Sequence, residues 1–257
     1  MPILPRLVSI YETQGFDLTT GLNPSHAHGE KTAPFTYLLK DGAFVTSAGG
    51  IAVQELYFLE SLAVSFQPSS ILIIGNSFGW SAVAMALAFP KAKVLAVDAC
   101  EDRFTQEGLA LTNEIARVEG LSNLLAVKGR SPDDLPSIAA AHAQETPWDM
   151  VFIDGEHVPR QVVLDFNAVK PFAATEALWL FHDAVSYDLL EAVETLGREN
   201  GLIHQPLWRT PSGIAALVPQ SLVGAVAMVL HAFAGSENTF RLMQELGRYG
   251  ASLQNKT

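Results

Sequence analysis

Two short segments gather acids and histidines where apolar runs end. Asp154-Gly155-Glu156-His157 follows the run Met150–Ile153, and His182-Asp183 follows Leu178–Phe181. Such residues can move protons as general acids or bases. Together they can also supply oxygen and nitrogen ligands to a divalent cation. A third segment, Gly75-Asn76-Ser77-Phe78-Gly79-Trp80-Ser81, follows the run Ile71–Ile74, and Asp98 ends the next run 23 residues past Gly75. A glycine turn opening a helix lets backbone approach a ligand, and a carboxylate at the second strand end can hold ribose hydroxyls. A dinucleotide fingerprint requires glycine where Ser77 and Trp80 stand, the last one for close helix–strand packing. The loop therefore suits a nucleoside ligand without a pyrophosphate. A nicotinamide-dependent oxidoreductase is disfavoured on the same ground.

Those segments need a frame, and the hydrophobic pattern predicts one. Continuous apolar runs at 71–74, 94–97, 124–127, 150–153 and 178–181 read as strands buried on both faces, as in a parallel sheet. Helical stretches are predicted between them: Ser81 to Phe89, Asp102 to Glu119, Leu135 to Ala143, one opening near Pro159, and Tyr187 to Glu199. Ile203 to Trp208 and Ile214 to Val218 read as a closing hairpin, and Ile51 to Phe66 as a preceding helix. Residues 1–45 read as irregular, with turns around Gly21–Ser25 and His26–Gly29. Strand–helix alternation plus a hairpin means an α/β, doubly wound sheet with one antiparallel strand. Ligands of such sheets bind beyond the carboxyl ends of the strands.

Taken together, Ile74–Ala82, Asp98, Gly129-Arg130-Ser131-Pro132-Asp133, Phe152–His157 and Phe181-His182-Asp183 resemble class I S-adenosylmethionine-dependent methyltransferases. The similarity covers about residues 45–219. It points to the catechol O-methyltransferase-like branch and to bacterial enzymes acting on sugars, antibiotics and other small molecules. The resemblance implies a Rossmann-like seven-stranded sheet of order 3-2-1-4-5-7-6, strand 7 antiparallel. It also implies that Gly75, Asn76, Ser77, Gly79 and Trp80 form the cofactor loop, with Asp98 and Ala99 at the ribose and Arg130 with Ser131 at the adenine. Asp154 and His157 are the implied catalytic residues, Asp154 also touching the cofactor, and His157 takes the position of the catechol-type catalytic lysine. Asp154, His182 and Asp183 are the implied metal ligands, for Mg2+ or another divalent ion. Strand-end acids also serve as caps, so both readings stand at this point. Two departures are Ile73, where the family has an acid gripping the cofactor's amino end, and Ala184, where catechol-type enzymes have an amide. Ser77 or the segment Thr46–Gly50 would replace the first, and His182 or Glu156 the second. A histidine ligand would tilt metal choice toward manganese, iron or zinc.

Composition bounds the rest. The 257 residues carry net charge −11, which repels nucleic acid and anionic membrane. Neither uncharged tract, Ser61–Pro90 or Thr210–Ser236, is an unbroken apolar run, so no membrane span is expected. The segment Met1–Tyr11 does not read as a signal peptide, and the single Cys100 fits a reducing, cytoplasmic setting. Ser221 to Ala234 is apolar on almost every side, and Asn238 to Tyr249 reads as an amphipathic helix. The first predicts a homo-oligomer interface, with burial inside one chain as the alternative. The organisation expected is an N-terminal cap over 1–60, a Rossmann-like core over 61–220 and C-terminal helices over 221–257. Tyr37, Phe44 and Tyr57 are candidates for a cover over the cofactor, Tyr187 and Trp208 for walls of an acceptor pocket. His26 and His28 are a weaker metal candidate. A small-molecule O-methyltransferase is the leading expectation. A non-catalytic nucleoside-binding or assembly protein on the same fold is its rival.

Overall fold

Isoleucine, leucine and valine side chains dominate the central strands, and every residue of β4 (Ser70–Ile74) is buried. A parallel strand can be apolar throughout because helices cover both faces. The computed structural model describes residues 2–20, 35–45, 50–143, 146–242 and 245. After β4 come α3 (Trp80–Ala88), β5 (Lys93–Asp98), α4 (Arg103–Val118), β6 (Leu124–Lys128), α5 (Leu135–His142), β7 (Trp148–Ile153), α6 (Pro159–Val169), β8 (Ala173–Phe181), α7 (Leu190–Asn200), β9 (Ile203–Leu207), β10 (Ile214–Val218) and α8 (Val223–Ala234). Sheet order is β6-β5-β4-β7-β8-β10-β9. Strand β10 runs antiparallel to both its neighbours. Counted from β4 as strand 1, this is the expected order 3-2-1-4-5-7-6.

Alternation along each strand divides the interior into two cores. Ile71 and Ile73 of β4 join one that includes Ile115 of α4 and Phe233 of α8. Leu72 and Ile74 join the other, with Leu135 of α5, Phe166 of α6 and Val193 of α7. Strand ends β4, β5, β6, β7 and β8 therefore emerge together along one edge, above a rigid base.

The described part of residues 1–45 corrects the sequence reading, because it holds regular elements where irregular chain was expected. It forms α1 (Ile3–Thr13), β1 (Asp17–Thr19), β2 (Tyr37–Lys40) and β3 (Ala43–Phe44), and α2 (Val53–Ser65) then falls within the helix expected over Ile51–Phe66. Ile3, Leu7, Ile10 and Tyr11 are buried at helical spacing, and Pro5 falls in the first turn, where its missing N–H is tolerated. Asp41 and Gly42, with φ of 54° and 75°, make the β2–β3 turn. Asp-Gly is a strong hairpin signal, so the information was present in the sequence.

One boundary also changes. Helix α7 starts at Leu190, not near Tyr187, since Asp183 and Asp188 take left-handed φ values of 56° and 58°. Helix α8 buries only one side, through Val226, Val229, Leu230 and Phe233, while Met228 is 80% exposed. Phe233 packs against Phe58 and Tyr57 of α2 at 5.3 and 6.0 Å, so burial within the chain accounts for the inner face. The helix predicted over Asn238–Tyr249 is helical at 238–242 and 245, and the rest of it lies outside the described residues. Among the described residues no helix is long and apolar enough to cross a membrane.

Candidate active site

A cavity of about 450 Å3 opens above the carboxyl ends of the central strands. Gly75–Phe78, Asp98–Asp102, Gly129–Ser131 and Asp154–His157 line it, with Asp183 at one end and Leu38 and Gly50 from the N-terminal segment. One cavity thus joins the glycine loop to the acid–histidine cluster.

The β4–β5 end is built largely from backbone. Asp98 Oδ2 accepts hydrogen bonds from the Asn76 and Ser77 N–H groups, both at 2.9 Å, and Oδ1 accepts one from Cys100 N–H at 2.8 Å. These take three of the about four acceptor sites of a carboxylate, leaving one on Oδ1. Gly75 has φ of 97°, and a Cβ there would lie 2.0 Å from the Asp154 carbonyl oxygen. That close approach admits only glycine. Gly79 differs from the expectation: it does not line the cavity, and a Cβ on it would strike Thr112 at 2.1 Å. Its role is in packing α3 against α4. The Asn76 side chain is likewise turned inward, donating from Nδ2 to the Ser77 carbonyl and to Thr112 Oγ1 at 2.8 and 3.0 Å.

Trp80 lines the cavity and donates from Nε1 to the Ile51 carbonyl at 3.2 Å. Tyr11 lies 5.1 Å from the Trp80 ring and donates its hydroxyl to the Phe78 carbonyl. Burial pushes that phenol well above its usual range, so it stays a donor. Burial and then the Asp98 charge push the Cys100 thiol up to about 11, which removes it as a nucleophile. At the β6 end Arg130 pairs with Glu101, and Ser131 donates to Asp165 Oδ1 at 2.5 Å. Burial pushes the Asp165 carboxyl up, and its Oδ2 is buried without a hydrogen-bond partner.

The β7–β8 end holds side chains. Asp154 Oδ1 lies 3.3 Å from His157 Nε2 and 2.9 Å from His182 Nδ1, and His157 Nε2 lies 3.4 Å from Asp183 Oδ2. One ligand atom from each of Asp154, His157, His182 and Asp183 falls within 4.8 Å of all the others. His182 Nδ1 and Asp183 Oδ1 are buried without a well-formed hydrogen bond; the 2.9 Å approach to Asp154 lacks the alignment of one. Burial opposes charge on His182, but the Asp154 and Glu55 carboxylates outweigh it and hold its pKa well above the usual histidine range. Burial likewise opposes ionisation of Asp154, and His182 and His157 overcome it, bringing the carboxyl down to about 2. Asp183 moves the other way, raised by burial and by its neighbour Asp154 despite His182.

Sequence reasoning missed Glu55. It reads as a first-turn acid of α2, and its Oε2 does accept from Ala52 N–H at 2.7 Å. The same oxygen lies 3.0 Å from His182 Nε2, a contact no local pattern could announce. Five expectations are corrected. Glu156 is exposed and stands outside the cluster. Tyr57 packs on α8, far from any cofactor cover. Trp208 packs on Phe240, and Tyr37 on Phe44, and none of these four lines the cavity. Tyr187 does reach the site, stacking on His157 at 4.7 Å. His26, His28 and Thr46–Gly49 lie outside the described residues.

Residues 72–184, from inside β4 to just past β8, match the family model of a methyltransferase domain. No curated protein matches the chain in sequence. Among solved structures, an O-methyltransferase from Bacillus cereus in complex with SAH aligns at 15% identity and TM-score 0.54, covering 68% of this chain and 84% of its own. The O-methyltransferase TomG from Streptomyces achromogenes, in complex with SAM, aligns at 19% and 0.50, covering 66% and 81%. A methyltransferase from Geobacter sulfurreducens aligns at 20% and 0.52, covering 65% and 79%. At these identities the similarity is one of fold.

Proposed function

We propose that the protein is an S-adenosylmethionine-dependent methyltransferase that methylates a hydroxyl group of a small molecule. The observation that carries this reading is the single cavity joining the Gly75–Asp98 end to the Asp154–His157–Asp183 end. Gly75 and Ser77 present a side-chain-poor surface to the methionine part, with Asn76 contributing its backbone and Trp80 one wall. The free acceptor site on Asp98 Oδ1 takes a ribose hydroxyl beside Ala99, while Arg130 and Ser131 border the adenine. S-adenosylmethionine supplies an electrophilic methyl carbon on a sulfonium, which leaves as a neutral thioether.

His157 is the candidate general base. Its ring is clamped between Tyr187 and the Asp154 and Asp183 carboxylates, where it can accept the proton that the acceptor hydroxyl loses as its oxygen bonds to the methyl carbon. Such a base contributes about 10²–10⁴-fold, and alignment of the reacting atoms supplies much of the rest. Asp154, His182 and Asp183 fit a divalent cation, since His182 Nδ1 and Asp183 Oδ1 lack hydrogen-bond partners. A bound ion, Mg2+ or one more tolerant of imidazole, would make the acceptor hydroxyl easier to deprotonate.

Calorimetry with S-adenosylhomocysteine tests the reading directly: binding is expected, and its absence would sink the proposal. Ile73 supports a second reading. It is fully buried in the core and offers nothing polar to the cofactor's amino end, as would suit a nucleoside-binding protein without turnover. That protein would bind S-adenosylhomocysteine and methylate no hydroxylated acceptor.

We also propose a homo-oligomer formed through the outer face of α8, where Met228 is exposed. Sedimentation showing only monomer at micromolar concentration would remove it. The acidic charge of −11 speaks against nucleic acid or an anionic membrane as partner, and the single Cys100 fits a cytoplasmic setting. The division into a cap over 1–60, a core over 61–220 and C-terminal helices belongs to the same proposal.

A further inference from the structure

Glu55 is an acid beside the site with no exposed surface. A carboxylate there costs several kcal/mol unless it is paired and fully hydrogen-bonded. Capping α2 cannot be its reason, because an exposed first-turn acid would do that without the cost. Only the bond from Ala52 N–H serves the helix. Every other contact is long-range: His182 Nε2 on Oε2 at 3.0 Å, and Ser212 N–H at 3.3 Å with the Ser212 hydroxyl on Oε1.

Ser212 also lies 3.0 Å from His182 Nε2. Its carbonyl accepts from the N–H groups of Val185 and Ser186 at 3.2 and 3.1 Å, so the β9–β10 loop is tied to the segment after β8. Three distant parts of the chain thus meet on one ring nitrogen. Glu55 and Ser212 both lie outside residues 72–184, the span matching the methyltransferase domain.

We infer that Glu55, braced by Ser212, is a positioning residue that commits His182 Nε2 inward and leaves Nδ1 as the nitrogen presented to Asp154 and Asp183. With the Nε2 proton donated to Glu55, the Nδ1 proton is the one released when a cation binds, and the Nδ1 lone pair then faces the cation. A metal-binding histidine depends on such a partner for ring orientation and basicity, and losing it costs about 10–100-fold in metal affinity. The inference rests on reading the Asp154–His182–Asp183 cluster as a divalent-cation site.

Mn2+ is titrated into the full-length protein and into Glu55→Gln and Ser212→Ala, with S-adenosylhomocysteine affinity measured separately on each without metal. Glu55→Gln is expected to weaken Mn2+ binding about 10–100-fold, and Ser212→Ala less. Cofactor-product affinity should stay within about twofold in both, by the same logic of a local metal effect. Unchanged Mn2+ affinity in both variants would overturn the positioning role while the metal reading survives. Parallel loss of Mn2+ and S-adenosylhomocysteine binding in both would also overturn it, showing a general structural role. Absence of Mn2+ binding by the unmodified protein would remove the metal reading and this inference with it.

Discussion

Around Gly75 and Asp98 the cavity wall is made by main chain: three N–H groups converge on one carboxylate, and all four residues involved lie between 76 and 100. Around His182 the partners are side chains drawn from residues 55, 154, 183 and 212, separated by as many as 157 positions. The first arrangement is local and survives wherever a strand–turn–helix unit forms. The second exists only once α2, the sheet edge and the β9–β10 loop have packed. It also keeps buried charges whose balance depends on every member. Binding a nucleoside and adjusting a proton are therefore separable in this molecule, and variants should separate them.

The largest expected separation comes from His157→Ala. Methyl transfer to any acceptor that turns over should slow by about 10²–10⁴-fold, while calorimetry shows S-adenosylhomocysteine binding retained. Joint loss of both would merge the two ends into one unit. Gly75→Ala should break both together, because its Cβ would lie 2.0 Å from the Asp154 carbonyl and its φ is 97°. A fall in stability of about 3 kcal/mol is expected, read by denaturant unfolding, with binding at both ends impaired. An unperturbed variant would mean that the loop yields freely.

Asp98→Ala should act on one end alone. S-adenosylhomocysteine affinity should fall about 10- to 100-fold, corresponding to a lost charged hydrogen bond and a loosened loop, with Mn2+ affinity unchanged. The smallest effect concerns acid stability. Asp154 ionises at about 2 in the folded chain against its ordinary 3.8, so the folded state favours the carboxylate. That contribution is complete above about pH 4 and is lost as pH falls toward 2, worth about 2 kcal/mol. Asp154→Asn, measured without metal, should show a shallower loss of stability over that window. An identical slope would place the acid sensitivity elsewhere.

Legibility followed the same division. Strand runs and the Gly75, Asp98, Asp154, His157, His182 and Asp183 positions could be read because each depends on near neighbours and on the edge where strands end, while strand order was implied by the family resemblance. The helix at Ile3–Thr13 and the Asp41-Gly42 hairpin also had local signals. They were hidden by the proline- and turn-rich surroundings. Glu55 had none: at the third position of a helix it is indistinguishable from a solvated capping acid. Glu156, offered beside His182 as a substitute for the amide missing at Ala184, is exposed, and His182 is the one in the cluster.

The amino-acid sequence alone determined the sheet, its polarity and which residues stand at the carboxyl edge, since apolar periodicity and turn chemistry act over a few residues. Tertiary structure decided which of those residues share a proton or a ligand position. How α2 and the β9–β10 loop seat against the sheet is fixed by the packing of whole side-chain layers. Shifts of an ångström or so, which no periodicity encodes, decide whether Glu55 meets His182 or water.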